Sequence, residues 1–305
     1  MNYNQKKEKF AQIFMLILGL LLCSYTVHAQ TIRVGGKDFT EQIILSELTA
    51  QYLEEKGFKV DLERGLGPSG GLRKALVDGN VDVYWEYIGT AYLNFLKKSY
   101  KGESSDVVYL RVKSEDSKKG IVWLNKSEAN DTYALAMNAS VAEEKGIRTL
   151  EDLSKYQNTV GGLTFATDPT WYSRDDGLVP LEEKYGFKFV RDGVQRIEFG
   201  LIYKLLGKKE VDVGLVYSTD GRIVAQGLRV LRDTKNFFPP YQLTPVIRQD
   251  VLLKYPKLAD YLNELSAVLD TNTITQLNSR VDVDRVQIWE TVEEFLISKG
   301  MLDGL

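Results

Sequence analysis

From residue 31 onward, short apolar runs alternate with longer amphipathic stretches. Thr31-Ile-Arg-Val-Gly35 reads as a buried strand, followed by the turn Gly36-Lys-Asp38. Phe39-Thr-Glu-Gln42 opens an amphipathic helix running to about Lys56, with Ile43, Ile44, Leu48 and Leu53 on its apolar side. Gly57 is the expected stop, and Phe58-Lys-Val-Asp-Leu62 a second strand. A glycine-rich loop, Gly65 to Gly71, leads into a helix over Leu72 to Val77, and Val81 to Tyr87 is a third strand. The polar stretch Ser114 to Lys119 reads as a surface loop. Asn130 to Met137 reads as a strand, and helices are expected near Gln249 to Leu269 and Val286 to Lys299. Strands and helices in alternation predict an α/β fold.

The same plan returns about 130 residues later. Leu53-Glu-Glu-Lys-Gly-Phe-Lys59 is echoed by Leu181-Glu-Glu-Lys-Tyr-Gly-Phe-Lys188. Leu72, Lys74 and Leu76 correspond to Ile202, Lys204 and Leu206, and Val81-Asp-Val83 to Val211-Asp-Val213. Tyr87 lands on Tyr217 at the same offset. Helix-turn-strand units often look alike by chance, but matches kept in order through both halves favour two lobes of similar design. The expected division is residues 30–130 with 242–305 for the first lobe and 131–241 for the second. In such a protein, ligands bind beyond the carboxyl ends of the strands, in the crevice between lobes.

The first 29 residues differ from the rest. Lys6, Lys7 and Lys9 precede an apolar run from Ile13 to Leu22, and Val27-His-Ala29 suits a signal peptidase. The run spans about ten residues, against roughly 20 for a membrane-spanning helix. Export with cleavage after Ala29 is therefore expected, to a periplasm, or to a cell surface were Cys23 lipidated. Leu22 is large for the residue before a lipidated cysteine.

Cleavage removes the only cysteine, Cys23, and the only histidine, His28. What remains has no disulfide, no imidazole base, no thiol nucleophile and none of the usual nitrogen or sulfur metal ligands. No cofactor or metal is expected. The whole chain is 44% hydrophobic with a net charge of -3, its charges interspersed, so nothing points to nucleic acid. Carboxylate chemistry stays open.

Tyrosine stands out, with 17 residues of which only Tyr3 and Tyr25 precede the cleavage point. Most are packing residues, but Tyr87, Tyr133, Tyr217 and Tyr241 each fall at an expected strand end or crossover. A trimethylammonium group has no hydrogen to donate. It is held by the negative faces of aromatic rings, at roughly 0.5 to 2 kcal/mol each. Arg174, in the polar turn Ser173-Arg-Asp-Asp-Gly177, could bind a carboxylate through two parallel hydrogen bonds, or simply pair with Asp175 or Asp176. Asp131 reads equally as a hinge or cap residue. Gly67-Pro-Ser-Gly-Gly71 lacks the spacing of a phosphate loop and reads as a backbone turn.

Six segments occur in order: Gly36-Lys-Asp-Phe-Thr-Glu-Gln42, Glu86-Tyr-Ile-Gly-Thr90, Thr132-Tyr-Ala-Leu135, Ser173-Arg-Asp-Asp-Gly177, Ser218-Thr-Asp-Gly-Arg-Ile223 and Phe237-Phe-Pro-Pro-Tyr241. Together they resemble the glycine betaine/choline/carnitine-binding proteins of osmoprotectant ABC importers, from about Arg33 to Trp289. The resemblance implies a two-lobed periplasmic-binding fold of type II, without catalysis, that closes on its ligand. It implies a box of Tyr133, Tyr217 and Tyr241 around a quaternary ammonium, with Tyr87 as fourth wall and Tyr84 and Trp85 near enough to compete. Arg174 resembles the carboxylate-binding residue, Asp131 one whose main-chain carbonyl faces the ammonium, and Gln42 a polar residue of the cleft. The implied partners are an ABC permease and its cytoplasmic ATPase, the binding protein itself being a monomer. Trp85 and Asp175 stand where family members often have proline, and both are expected to bear on ligand choice. The alternatives are an exported carboxylate-based hydrolase and a ligand-sensing partner of a membrane receptor.

Overall fold

The structure, a computed structural model, describes residues 31–173 and 177–303. The expected signal segment lies outside them. The chain opens with β1 (Thr31–Gly35), α1 (Thr40–Glu55), β2 (Lys59–Glu63), α2 (Ser69–Val77), β3 (Val83–Tyr87), α3 (Ser105–Ser117) and β4 (Ile121–Trp123). It continues through β5 (Tyr133–Asn138), α4 (Leu150–Thr159), β6 (Phe165–Thr167), α5 (Leu178–Tyr185), β7 (Val194–Arg196), α6 (Phe199–Gly207), β8 (Val213–Tyr217) and β9 (Leu228–Val230). It ends with β10 (Leu243–Arg248), α7 (Lys257–Ala267), α8 (Thr271–Asp282) and α9 (Ile288–Ser298).

Two five-stranded sheets result, ordered β2-β1-β3-β10-β4 and β7-β6-β8-β5-β9. In the first, β1 runs parallel to β2 and β3, and β10 antiparallel to β3 and β4. In the second, β6 runs parallel to β7 and β8, and β5 antiparallel to β8 and β9. The repeat read from the sequence is therefore structural: β1-α1-β2-α2-β3 and β6-α5-β7-α6-β8 are the same unit. Each sheet then takes one antiparallel strand from the far side of a crossover, β10 in the first and β5 in the second.

Every sheet is covered on both faces, as a largely parallel sheet requires. On one face of the first sheet, Val83 and Trp85 pack with Ile44 and Leu48 of α1, Leu262 of α7 and Val292 of α9. On the other, Tyr84 and Val246 meet Leu72 of α2 and Val112 of α3. In the second sheet Leu135, Phe165 and Leu215 meet Leu153 of α4 and Leu181 of α5, while Ala134 and Val216 back onto Ile202 of α6.

Two expectations change. Ser114 to Ser117 is the last turn of α3, not a loop. That helix buries Val108, Val112 and Asp116, four residues apart, so its inner stripe ends on a carboxylate. Asp116 accepts from Arg73 at 2.6 Å and from the Trp123 indole at 2.8 Å, which is what makes its burial tolerable. Helix α8 was not foreseen, and it touches both halves, packing on α1 and against the turn at Gly221.

Candidate functional site

The strand ends bring the aromatic rings together. Tyr217 closes β8 directly opposite Tyr133, which opens β5, so the two side chains are cross-strand neighbours on one face. Their ring centroids lie 5.0 Å apart. Phe199, at the start of α6, backs Tyr217 at 4.5 Å. In the first sheet, Tyr87 closes β3 opposite Leu243 of β10, and Tyr241 lies two residues upstream of that partner. Tyr241 is set by the crossovers: its N–H donates to the Asn130 side chain at 2.6 Å, and its carbonyl accepts from the Asp131 N–H at 3.3 Å. Its ring packs so closely on Gly89 that a Cβ there would lie 2.8 Å from a ring carbon.

Between the sheets lies a cavity of about 960 Å³, whose walls include Phe39, Tyr87, Asp131, Tyr133, Trp171, Tyr217 and Tyr241. Tyr217 is 39% exposed and Phe39 42%, so both rings are open to the cavity they line. Lys98, Lys101 and Lys184 line the same cavity. A second cavity of about 420 Å³ shares Phe39, Asp131 and Tyr217 and is lined by Glu41, Asp220, Asn278 and Asp282. The cleft is thus acidic towards α8 and holds lysines in its larger part.

Strand alternation separates the three aromatic residues of β3. Tyr84 is fully buried on the α3 face, its hydroxyl 3.2 Å from Glu86. Trp85 lies in the core with its indole donating to Thr49 at 2.8 Å. Neither borders the cavity, and the expectation that Trp85 bears on ligand choice fails because it points into α1. Tyr87 does border the cavity, but much of its ring is occupied. Lys37 Nζ stands 4.6 Å from its centroid, Phe39 stacks at 6.4 Å, and its hydroxyl donates to Glu41 at 2.8 Å. Lys37 is itself held by Glu86 at 2.5 Å.

Gln42 is buried on α1 beside Glu41 and is not among the lining residues. Its amide stands within electrostatic reach of the Tyr87 hydroxyl but makes no hydrogen bond of ordinary length. Asp131 borders both cavities, with Oδ1 buried and unpartnered. Arg174 and Asp175 lie outside the described residues, although Trp171 and Pro180, on either side in sequence, line the cavity. Phe39 is the main residue that sequence pattern misses. It precedes the first helical turn, where no periodicity marks it, and only its place after a strand and turn was a signal.

The electrostatics follow from burial. Burial first, and then the charge of Glu41, push Asp131 well above the ordinary carboxylate range. Burial also raises Glu41, against the nearby Thr219 and the hydrogen bonds from Tyr87 and Asn278. Tyr217 is raised by burial and by its bond to Tyr133. Among the described residues no acidic cluster is arranged to hold a metal ion, and no helix is long and apolar enough to cross a membrane. The arrangement suits a cation that brings no hydrogen-bond donors, held by rings and balanced by carboxylates.

Comparison with known proteins agrees in kind. Residues 30–298 match the family described as the substrate binding domain of ABC-type glycine betaine transport system. A glycine-betaine-binding protein of Pseudomonas aeruginosa is 38% identical over 93% of this chain and 92% of its own. The glycine betaine-binding protein YehZ of Escherichia coli is 31% identical over 89% of this chain and 92% of its own. The solved structure of apo YehZ superposes with a TM-score of 0.85, covering 90% of this chain and all of that one at 30% identity. This chain therefore belongs to the family of substrate-binding domains of ABC-type glycine betaine transport systems.

Proposed function

We propose that this protein captures a quaternary-ammonium osmoprotectant, glycine betaine or choline, outside the cytoplasm and delivers it to an ABC permease driven by a cytoplasmic ATPase. The observation that carries this reading is the aromatic cavity between the sheets, with the rings of Tyr217 and Phe39 exposed and the Asp131 carboxyl beside them. Tyr133, Tyr217 and Tyr241 enclose the trimethylammonium, with Tyr87 at the base and Phe39 as a further wall. Each ring contributes on the order of 0.5 to 2 kcal/mol once water is excluded. Asp131 faces the cation, Gln42 supports the base from α1, and Arg174 receives a carboxylate. Ligand contacts from residues 30–130 with 242–305 and from 131–241 favour the closed arrangement of these two lobes.

The family serves transport, which argues against the hydrolase alternative. Calorimetric titration of the protein from Gln30 onward with glycine betaine and with choline is the test. Saturable binding of either is expected, and binding of neither overturns the reading. Arg174→Ala should weaken betaine more than choline, which has no carboxylate, and an equal loss of both removes Arg174 from that role.

A further inference from the structure

Where the two cavities meet, two carboxyl groups face inward without a cation of their own. Glu41, in the first turn of α1, accepts from the Tyr87 hydroxyl at 2.8 Å through one oxygen and from the Asn278 amide at 3.0 Å through the other. Asp131 arrives on the first crossover, its Oδ1 buried and without a partner. Thr219, buried on the turn after β8, lines the second cavity with both groups. Its hydroxyl has one proton and can satisfy at most one carboxylate, so the buried Asp131 Oδ1, which has no partner, is less costly as part of a protonated carboxyl than as a bare anion.

Among the described residues, the lysine that acts on this pair is already engaged, and Lys98, Lys101 and Lys184 stand in the larger cavity that Asp131 also borders. From the turn before α1 comes Lys37, which is paired with Glu86 of β3 at 2.5 Å. After β8 comes Asp220, paired with Arg222 at 2.6 Å. From α8 come the neutral Asn278 and Asp282, the latter accepting from Thr40 at 2.7 Å. Tyr87, Tyr133 and Tyr217 complete the ring of titratable neighbours, and burial holds Tyr87 and Tyr217 protonated. With Lys37 and Arg222 neutralised, Glu41 and Asp131 stand as two like groups in an interior site. Such a pair retains a proton into a pH range where single carboxyls have lost theirs.

We propose that Glu41 and Asp131 share one proton in the free protein and release it when the ligand's ammonium arrives, so that the pair supplies the counter-charge for the bound cation. The inference rests on the reading of the cleft as a quaternary-ammonium site. The balance is simple: the singly protonated pair plus one cation gives the doubly ionised pair with the cation bound, and a proton passes to the buffer. The interior exchanges one positive charge for another, so its net charge does not change. A trimethylammonium group, which cannot lose a proton, suits this exchange. Affinity then rises with pH between the pair's bound-state and free-state titrations, by up to about tenfold per pH unit for one proton.

The chain lacks histidine and cysteine after residue 30, so few other groups titrate near neutrality to obscure the signal. The experiment is titration with choline at pH 7 in phosphate and in Tris, whose ionisation heats differ widely. The difference in apparent binding heat counts the protons released. Release approaching one proton is expected in the natural protein, and none in Glu41→Gln, whose affinity should be flat from pH 6 to 8. Saturable choline binding without proton release overturns the shared proton and leaves the quaternary-ammonium reading intact. Absence of binding by both choline and glycine betaine overturns both. If Glu41→Gln does not fold, carbon-13 carboxyl shifts of the ligand-free natural protein decide. One protonated carboxyl of this pair at pH 7 supports the proposal, and two ionised ones refute it.

Discussion

At the residue scale, one glycine governs one wall of the cleft. A methyl group on Gly89 would meet the Pro240 carbonyl oxygen at 2.6 Å and the Tyr241 ring at 2.8 Å. The carbonyl is held by its backbone, so the ring and the crossover must retreat. Gly89→Ala should cost about 1–3 kcal/mol of stability, as overpacking generally does, and lower glycine betaine affinity. Denaturant unfolding and calorimetry on the same variant separate the two effects, and unchanged affinity would mean that Tyr241 is not a wall. The carboxyl pair makes a second prediction, about pH. Glu41 and Asp131 are both raised above their ordinary range, so the folded protein binds a proton more tightly than the unfolded chain. Their contribution to stability is present below the ordinary carboxylate range and is lost as pH rises through the pair's raised titration. Ligand-free protein should therefore lose stability with rising pH over that window, and Glu41→Gln should flatten the slope. A flat profile in the natural protein would contradict it. The tyrosines were legible in the sequence because strand ends announce themselves by apolar runs and turns. Phe39 and Glu41 were not, because the pattern marks the helix they begin and says nothing about which way its first turn faces.

At the element scale, pattern reading succeeded where an element's buried face is apolar. β1, β3 and α1 are such cases, and the tyrosine-tryptophan ambiguity in β3 is resolved by pleat alone, with Tyr84 on one face and Trp85 and Tyr87 on the other. It failed for α3 and α8 for one shared reason. Helix α3 turns Asp116 inward, and its outer side, with Lys113, Ser114, Glu115 and Ser117, looks like a loop. Helix α8 buries Thr275, Asn278 and Ser279 because it packs on polar backbone and side chains of both halves. An inward polar residue is invisible to hydrophobic periodicity. The cost of losing one is correspondingly large. Asp116→Ala would leave Arg73, which is mostly buried, without its partner at 2.6 Å and the Trp123 indole without its acceptor at 2.8 Å. Breaking a buried pair from one side costs about 3–5 kcal/mol. Urea unfolding should show a loss of that order, with betaine affinity at subsaturating urea-free conditions nearly intact, since Asp116 lies behind the first sheet. A loss below about 1 kcal/mol, the worth of an exposed pair, would show that water reaches the site.

At the scale of the whole molecule, the two sheets repeat one strand order and each keeps its own core. Residues of the clusters around the first sheet and those around the second do not mix. What joins the halves is polar: the Asn130–Gln242 bridge of the crossovers, the Ser218 hydroxyl donating to the Asn130 carbonyl at 2.7 Å, and helix α8. Polar joints leave relative motion possible where a shared apolar core would forbid it, and α8 sits where such motion would be felt. Its Ser279 backbone lies against Gly221, where a Cβ would be 2.5 Å from both the Ser279 nitrogen and Cα. Backbone atoms within a helix cannot swing aside as a side chain does, so Gly221→Ala must push the turn after β8 away from α8. That displacement carries Asp220 and Thr219 with it, and with them a wall of the cavity that Glu41 and Asp131 also line. The expected outcome is a loss of betaine affinity on the order of tenfold, in the range that 1–3 kcal/mol of overpacking commands. Each lobe should keep its fold, because neither sheet nor its core is touched. Small-angle scattering with saturating betaine should then show the variant less compact than the natural protein under the same conditions. Equal affinity and equal compaction would show that α8 yields without consequence and does not couple the halves. Lost affinity with unchanged compaction would assign the effect to the displaced cavity wall alone.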